Sequence, residues 1–444
     1  MSENGSITTG VSNRKRDGYR ECDDPESADS PNGIDHYPPE TVTWRDRVAH
    51  FTWPWFACTM STGALAVVLG QTPNTFTGLQ TIGKIFFILA IVLFVAFTAI
   101  IITRFILVPQ KFLASLHHPV ESLFFGSYWV TISLLLNCIQ LYGVPNTGPW
   151  LVKALEILFW MYVAAVLIVG IGQYYVLFQL ERLKVNNAMP ACTSFRLVSQ
   201  FSLPAVMNEN LTLYRRIFPI YPLLVIGPLA GTIIPSQPHT AAVPIWLAGV
   251  MLQGMGWCVA LMMYAIYTQR LMVSALPDPS TRPGMYVSVG PAGYTAAALI
   301  SLGRQAPAVF ERKQFFGITS LLVEDVIKVL GIMAGLFLLL FSFWFFCVST
   351  VSVIAGAKQM SFTLNWWAFV FPNAGMTLAT IQAGGALSSA GINGLCSALT
   401  VALVIMWFFT AIAHILAVRK GQVMWPGKDE DKTMNGIRWG AHAA

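Results

Sequence analysis

Hydroxyl and amide side chains recur inside long apolar runs of this chain, where no carboxylate, lysine or arginine lies near the middle of the run. Hydroxyls and free backbone N–H groups can solvate a small anion without a formal charge. Because the runs lack paired carboxylates, they offer no usual relay for cations or protons. The chemistry favours a small negatively charged solute. The candidate pathway residues are Thr59, Thr62, Ser288, Tyr294, Asn373 and Thr377.

Basic residues gather near one end of the apolar runs. Arg104, His117 and Arg282 form a candidate cytoplasmic mouth, where positive charge would raise the local anion concentration. The alternative is that these residues only orient the membrane helices, since cytoplasmic segments are rich in Lys and Arg. The sequence contains no HExxH, GxSxG or P-loop pattern, and its seven Cys show no CxxC spacing. We therefore expect no enzyme activity, no cofactor and no metal.

The composition requires lipid around much of the molecule. Of 444 residues, 55% are hydrophobic and only 11% are charged, whereas soluble proteins average about 25% charged residues. Too few ions remain for a water-exposed surface of this size, which excludes an ordinary cytosolic protein. The net charge of +6 does not indicate a nucleic-acid partner, because the basic residues lie in short segments between apolar runs.

Ten apolar runs approach the roughly 20 residues that a helix needs to cross a bilayer. The predicted spans are residues 51–70, 81–105, 122–142, 150–178, 217–235, 242–268, 285–302, 322–355, 366–384 and 394–418. Of the 27 Lys and Arg, 21 fall on the side that carries both termini, which predicts that both tails are cytoplasmic. Three regions follow: a disordered N-terminal tail with a short interfacial segment (1–50), a transmembrane domain (51–418) and a C-terminal tail (419–444).

Proline distinguishes the odd-numbered spans from the even-numbered ones. Pro54, Pro119, Pro222, Pro291 and Pro372 open or interrupt odd spans, mostly beside small or aromatic residues. Proline inside a helix frees a carbonyl, which is tolerated where helices pack together or line a wet cavity. The pattern predicts an all-α membrane protein of five helical hairpins, with odd helices forming an inner pore layer and even helices an outer layer. Since proline is common in membrane helices, the pattern alone leaves the alternative open that it marks no pore.

Several stretches resemble fungal malic-acid transporters of the tellurite-resistance/dicarboxylate transporter family. That family includes TehA-like proteins, sulfite pumps and plant slow-type anion channels. The resemblance covers roughly residues 45–432. The matching stretches are HFTWPWFACTMSTG (50–63), IGKI (82–85), QGMG (253–256), RPGMYVSVGP (282–291), WAFVFPN (367–373) and PGKDED (426–431).

The resemblance implies five helical hairpins around a central pore, and trimers with one pore in each protomer, although a dimer is also open. It implies that Phe371, just before Pro372, is the aromatic gate. It also implies proton-linked uptake. Two segments depart from the pattern: HHPVESLF (117–124) is similar to sulfite pumps, and GPA (290–292) lacks a second proline of many relatives.

The first hypothesis is a plasma-membrane carrier for malate and related four-carbon dicarboxylates. Its partners would be small organic or inorganic anions, protons and the lipid bilayer. A sulfite exporter or passive anion channel of the same fold is the alternative. The third hypothesis is a receptor or scaffold that transports no solute. The absence of an evident soluble domain argues against it.

Overall fold

The described residues of the computed structural model form helices and connecting turns, with no strand among them. The structure describes residues 43–117, 121–180, 219–273, 276–310 and 322–424. The α-helices are α1 (Trp44–Ala49), α2 (Phe56–Gln71), α3 (Leu79–Leu107), α4 (Gln110–His117), α5 (Phe125–Cys138), α6 (Pro149–Leu180), α7 (Tyr221–Leu224), α8 (Ile226–Ile233), α9 (His239–Val273), α10 (Val289–Phe310), α11 (Val323–Gly356), α12 (Phe371–Leu387) and α13 (Ala390–Arg419).

Several helices along the chain are long enough to span a membrane. Within the described residues, eight helical segments are long and apolar enough to cross a bilayer. Tyr221–Ser236 is apolar but shorter, and α12 follows a separate 3-10 segment, Leu364–Phe369. The predicted class of an all-α membrane protein is confirmed. The exact arrangement of ten helices as five hairpins stays a prediction.

The helices differ sharply in burial. Residues are 94% buried in the most apolar stretches of Trp53–Gln71 and Pro279–Phe310, and 67% buried in that of Ser122–Asn146. The corresponding share is only 17% in Leu79–Leu107 and in Val323–Gln359. Large apolar side chains exposed on α3 and α11 therefore require a lipid surface rather than water. We call α2, α5, α7, α8, α10 and α12 the inner helices, and α3, α6, α9, α11 and α13 the outer helices.

Most of the inner helices begin with a tighter turn. The 3-10 segments that precede α2, α5, α10 and α12 are Trp53–Trp55, Ser122–Phe124, Pro279–Ser288 and Leu364–Phe369. Pro222 and Pro372 lie in the first turn of their helices, where a missing N–H costs nothing. The prolines thus mostly open inner helices, whereas the sequence analysis expected several inside them. Pro244 lies inside outer helix α9, which begins at His239, earlier than predicted.

Inner helices α10 and α12 cross at glycine contacts. A Cβ atom at Gly293 would lie 2.6 Å from the backbone nitrogen of Met376, and one at Gly375 would lie 2.6 Å from the ring of Tyr294. Neither position leaves room for a methyl group, so the two backbones approach closely only because both residues are glycine. This crossing places the Tyr294 ring over the start of α12.

The two predicted tails fall largely outside the described residues. Of the N-terminal region 1–50, residues 43–50 are described, and they contain helix α1. Of the C-terminal region 419–444, residues 419–424 are described. The assignment of both tails to the cytoplasm stays a prediction.

Candidate functional site

A polar cavity lies among the inner helices. Its volume is about 410 Å³, and residues from α2, α5, α8, α10 and α12 line it, together with Asn393 of α13. We call this cavity the vestibule. Its lining residues are Val67, Gln71, Pro73, Leu134, Asn137, Leu141, Val225, Pro228, Gly231, Thr232, Pro235, Tyr294, Ala297, Ser301, Arg304, Gln305, Leu378, Ile381, Gln382, Gly385 and Asn393.

Three aromatic rings meet at the inner end of the vestibule. Phe371 is fully buried, and its ring stacks on that of Tyr294 with centroids 5.0 Å apart and 26° between the planes. The Tyr221 ring meets Phe371 edge-on at 5.3 Å. The Tyr294 hydroxyl donates a hydrogen bond to the Phe371 carbonyl at 3.1 Å, and the Tyr221 hydroxyl donates to the Val287 carbonyl at 2.5 Å. Rings from three inner helices thus form one packed block, which we call the aromatic plug (Tyr221, Tyr294, Phe371).

Of the six pathway residues predicted from sequence, Tyr294 alone lines the vestibule. Thr59, Thr62 and Ser288 are buried in helix packing. The Thr59 hydroxyl donates to the Phe56 carbonyl, Thr62 to Cys58 and Ser288 to Met285, each within the same turn. Hydroxyls bonded back to their own helix are largely occupied, which weakens the case that they contact a solute.

Asn373 and Thr377 line a second cavity, of about 400 Å³, on the opposite face of α12. This cavity lies among α11, α12 and α13 and is mostly apolar. The Thr377 hydroxyl donates to the Asn373 carbonyl at 2.8 Å, and the Asn373 Nδ2 donates to the Phe369 carbonyl at 2.9 Å. These two residues therefore face the outer layer, away from the vestibule.

Arg104 and Arg282, two residues of the predicted basic mouth, make contacts within the protein. The guanidinium of Arg104 is 2% exposed and forms an ion pair with the Glu121 carboxylate. A neutralised pair of this kind adds little attraction for a distant anion. Arg282 donates to the backbone carbonyls of Pro277 at 2.9 Å and Ser352 at 3.0 Å, so it ties the 3-10 segment before α10 to α11. The side chain of His117 lies outside the described part of the chain.

The vestibule contains a series of hydrogen-bonded side chains that no sequence pattern indicated. Arg304 Nη1 donates to Gln382 Oε1 at 3.4 Å, Gln382 Nε2 donates to Gln71 Oε1 at 3.2 Å, and Gln71 Nε2 donates to Thr232 Oγ1 at 3.4 Å. We call these four residues the amide belt. Each comes from a different inner helix. A polar residue near the end of each of several apolar runs was the available signal, but only the fold brings the four together.

Within the described residues, no group of three or more His, Cys, Asp or Glu could hold a metal ion. The vestibule lining has one charged residue, Arg304, and no carboxylate. The arrangement can therefore hold an anion near the mouth, through a cation and amide N–H donors, beside a closed aromatic plug.

Helices with lipid-facing outer layers around a polar vestibule define a multi-pass membrane protein of the channel or carrier class. Residues 50–415 match the SLAC1 family, described as voltage-dependent anion channels, and the chain belongs to this family. The family resemblance drawn from the sequence is confirmed. The protein is accordingly an anion-transport membrane protein and not an enzyme.

Three of the relatives carry names that describe two different activities. The chain is 31% identical over 400 residues to a malic acid transport protein of Schizosaccharomyces pombe, covering 88% of this chain and 83% of the relative. A putative malic acid transport protein of the same organism is 29% identical over 390 residues, with 87% and 84% covered. The sulfite efflux pump SSU1 of Arthroderma benhamiae is 28% identical over 361 residues, with 81% and 88% covered.

Proposed function

We propose that the protein carries malate and related four-carbon dicarboxylates across the plasma membrane, with uptake linked to protons. The observation that carries the proposal is the vestibule itself: the part of its lining that the structure describes offers one cation, several amides and no carboxylate, and it ends at the aromatic plug. Similarity to a malic acid transport protein supports this choice of anion.

Charge explains why protons would be coupled to uptake. Beyond the vestibule, the residues of the aromatic plug carry no formal charge, and a full dianion in the middle of the membrane would be costly there. A partly protonated acid carries less charge through the same passage. The proton would then travel on the substrate, which requires no titrating relay in the protein.

Phe371 is the proposed gate. Its ring is packed between Tyr294 and Tyr221, and opening a path requires this packing to loosen. The remaining sequence-based assignments belong to the same proposal: a homo-oligomer, trimeric by family resemblance, with both tails in the cytoplasm. Tyr294 is the best supported of the six predicted pathway residues, because it lies in the vestibule wall.

The test is uptake of radiolabelled malate into proteoliposomes that contain the purified protein, at acid and at neutral external pH with the same internal pH. The proposal predicts faster uptake when the outside is acid, and protein-free liposomes give the background. A proton ionophore that collapses the gradient should abolish accumulation of malate above its external concentration. Uptake of malate that never exceeds the liposome background would end the dicarboxylate proposal.

A sulfite exporter or passive anion channel is the second candidate, and the similarity to the sulfite efflux pump favours keeping it. A competition panel separates the two in the same vesicles. Excess unlabelled malate or succinate should suppress labelled malate uptake in a dicarboxylate carrier. Selective suppression by sulfite, with sulfite flux exceeding malate flux, would favour the alternative. A protein that leaves every anion gradient intact would instead be the receptor or scaffold of the third hypothesis.

A further inference from the structure

Arg304 contributes a fixed positive charge to the wall of the vestibule. Among the described residues that line the cavity, Arg304 is the only ionisable one besides Tyr294, and no carboxylate neutralises it. The described residues contain ion pairs at Arg104 and at Lys153, but none at Arg304. The side chain is exposed, so water reaches it. Its charge is therefore available to a solute that arrives from that side.

The guanidinium is held against α12 by two features. Nη1 donates to Gln382 Oε1 at 3.4 Å, which leaves most of its N–H donors for other partners. A Cβ atom at Gly385 would lie 2.7 Å from Nη1 and 3.3 Å from Cζ. Glycine at this position leaves the space that the guanidinium fills. The guanidinium therefore lies against α12 at the edge of the vestibule.

The amide belt fixes the partners of this arginine. Gln382 is in turn bonded to Gln71, and Gln71 to Thr232, so the belt links α10, α12, α2 and α8. Next to it, Gln305 donates to the Gly231 carbonyl at 2.6 Å while its own Oε1 is buried without a hydrogen-bond partner. Amide groups therefore surround the cation on the vestibule side, and they supply both donors and acceptors to a hydroxy acid.

We propose that Arg304 is the first anion-binding residue of the pathway and that it, with the other residues of the amide belt, selects the anion at the mouth of the vestibule. A planar guanidinium matches a carboxylate through two parallel hydrogen bonds, which a lysine cannot reproduce. The inference rests on the proposed function for the identity of the anion. A cavity of about 410 Å³ has room for a four-carbon dicarboxylate with some water.

This position also suits the energetics of transport. A carboxylate bound at the mouth stays close to water, where its charge is inexpensive, and it leaves the arginine before reaching the uncharged plug. Binding there increases the occupancy of the vestibule by the anion. It does not hold the anion so tightly that its release becomes slow. Loss of Arg304 should therefore weaken binding more than it slows the maximal rate.

The test measures malate binding to the full-length protein in detergent, from the rise in unfolding temperature as malate is added. Sulfite is titrated in parallel. The variants are Arg304→Gln, Arg304→Lys, Gly385→Ala and a control, Lys84→Gln. Lys84 lies at the start of α3, is exposed and lines no part of the vestibule, so its substitution removes the same charge elsewhere.

We expect about tenfold weaker binding in Arg304→Gln, which corresponds to about 1.4 kcal/mol, because the anion loses its charged hydrogen-bond partner. Arg304→Lys and Gly385→Ala should give smaller losses, and Lys84→Gln should match the wild type. In proteoliposomes, Arg304→Gln should raise KM for the transported anion while the maximal rate stays within about twofold.

Three results would overturn the inference. One is equal binding of both anions by wild type, Arg304→Gln and Lys84→Gln. Another is an Arg304→Gln variant whose maximal rate falls while KM is unchanged. A third is a wild-type protein that binds neither malate nor sulfite. The proposed function fails in a different way: sulfite binds and depends on Arg304, while malate is neither bound nor taken up. An unchanged unfolding temperature of ligand-free Arg304→Gln shows that the fold is intact.

Discussion

At the scale of single residues, Phe371 lies within a closely packed aromatic cluster. The ring is fully buried, stacks on Tyr294 and meets the edge of Tyr221, while its carbonyl accepts a hydrogen bond from the Tyr294 hydroxyl. Offset and edge-on aromatic pairs contribute about 0.5–1.5 kcal/mol each beyond their buried area. In the proposed gate, opening requires these contacts to loosen.

Replacing Phe371 by alanine should open the passage. Removing the ring leaves a gap between Tyr294 and Tyr221, so anion current through single molecules in planar bilayers should rise at least tenfold. Phe369→Ala is the matched control, because Phe369 lies two residues away and lines the second cavity instead. Equal currents in Phe371→Ala, Phe369→Ala and wild type would remove Phe371 from the role of gate. In a carrier, the same variant should also lose its dependence on the pH gradient.

The Arg104–Glu121 pair has a structural role in this account. Both side chains are almost fully buried, and removing one partner leaves a buried charge without compensation. Glu121→Ala should therefore destabilise the protein by about 3–5 kcal/mol, measured by thermal unfolding in detergent. Glu156→Ala is the control, because it breaks the pair with Lys153, whose side chain is 68% exposed, and should cost about 1 kcal/mol or less. Equal losses in both variants would contradict a structural role for the buried pair.

At the scale of elements, the crossing of α10 and α12 positions both the vestibule and the plug. These two inner helices supply Tyr294, Arg304, Phe371 and Gln382, and they meet where Gly293 approaches the Met376 backbone. Four of the inner helices also follow 3-10 segments, and Pro222 and Pro372 lie in the first turns of their helices, whereas Pro307 lies inside α10. The packing of these helices therefore shapes the vestibule.

Gly293→Ala should disturb this crossing. The new Cβ atom would lie 2.6 Å from a backbone nitrogen, which cannot rotate away as a side chain could. We expect a fall in unfolding temperature corresponding to about 1–3 kcal/mol, with reduced malate transport. Gly254→Ala in α9 is the control: nothing lies within 4 Å of its added methyl group, so stability should be equal or slightly higher. A Gly293→Ala variant as stable and active as Gly254→Ala would show that the crossing tolerates separation.

At the scale of the whole molecule, hydropathy and proline placement predicted the membrane class and the boundaries of most long helices. The eighth span, expected at 322–355, is observed as Val323–Gly356, and the tenth, expected at 394–418, as Ala390–Arg419. Such boundaries follow from local composition, because long apolar helices are stable in the hydrocarbon core of a bilayer. The fifth was expected as one run, 217–235, and is interrupted at Val225.

The site was harder to predict from sequence, because it depends on which way side chains point. Thr62 and Asn373 have the right chemistry, but Thr62 bonds back to its own helix and Asn373 faces the outer layer. The amide belt joins residues as distant as Gln71 and Gln382, and no local pattern connects them. Phe371 came from a family resemblance rather than from residue chemistry, which could not distinguish one of 29 phenylalanines.

The central claim is that the solute passes through the vestibule among the inner helices, and blocking that cavity tests it most directly. Thr232→Cys would place a thiol in the vestibule wall, and Thr77→Cys would place one in the exposed turn before α3, outside the cavity. Malate flux is measured in proteoliposomes before and after reaction with a bulky, membrane-impermeant thiol reagent, with wild type showing the effect on native cysteines. The account predicts at least a tenfold loss of flux in Thr232→Cys and none in Thr77→Cys. Full flux through completely labelled Thr232→Cys would contradict it.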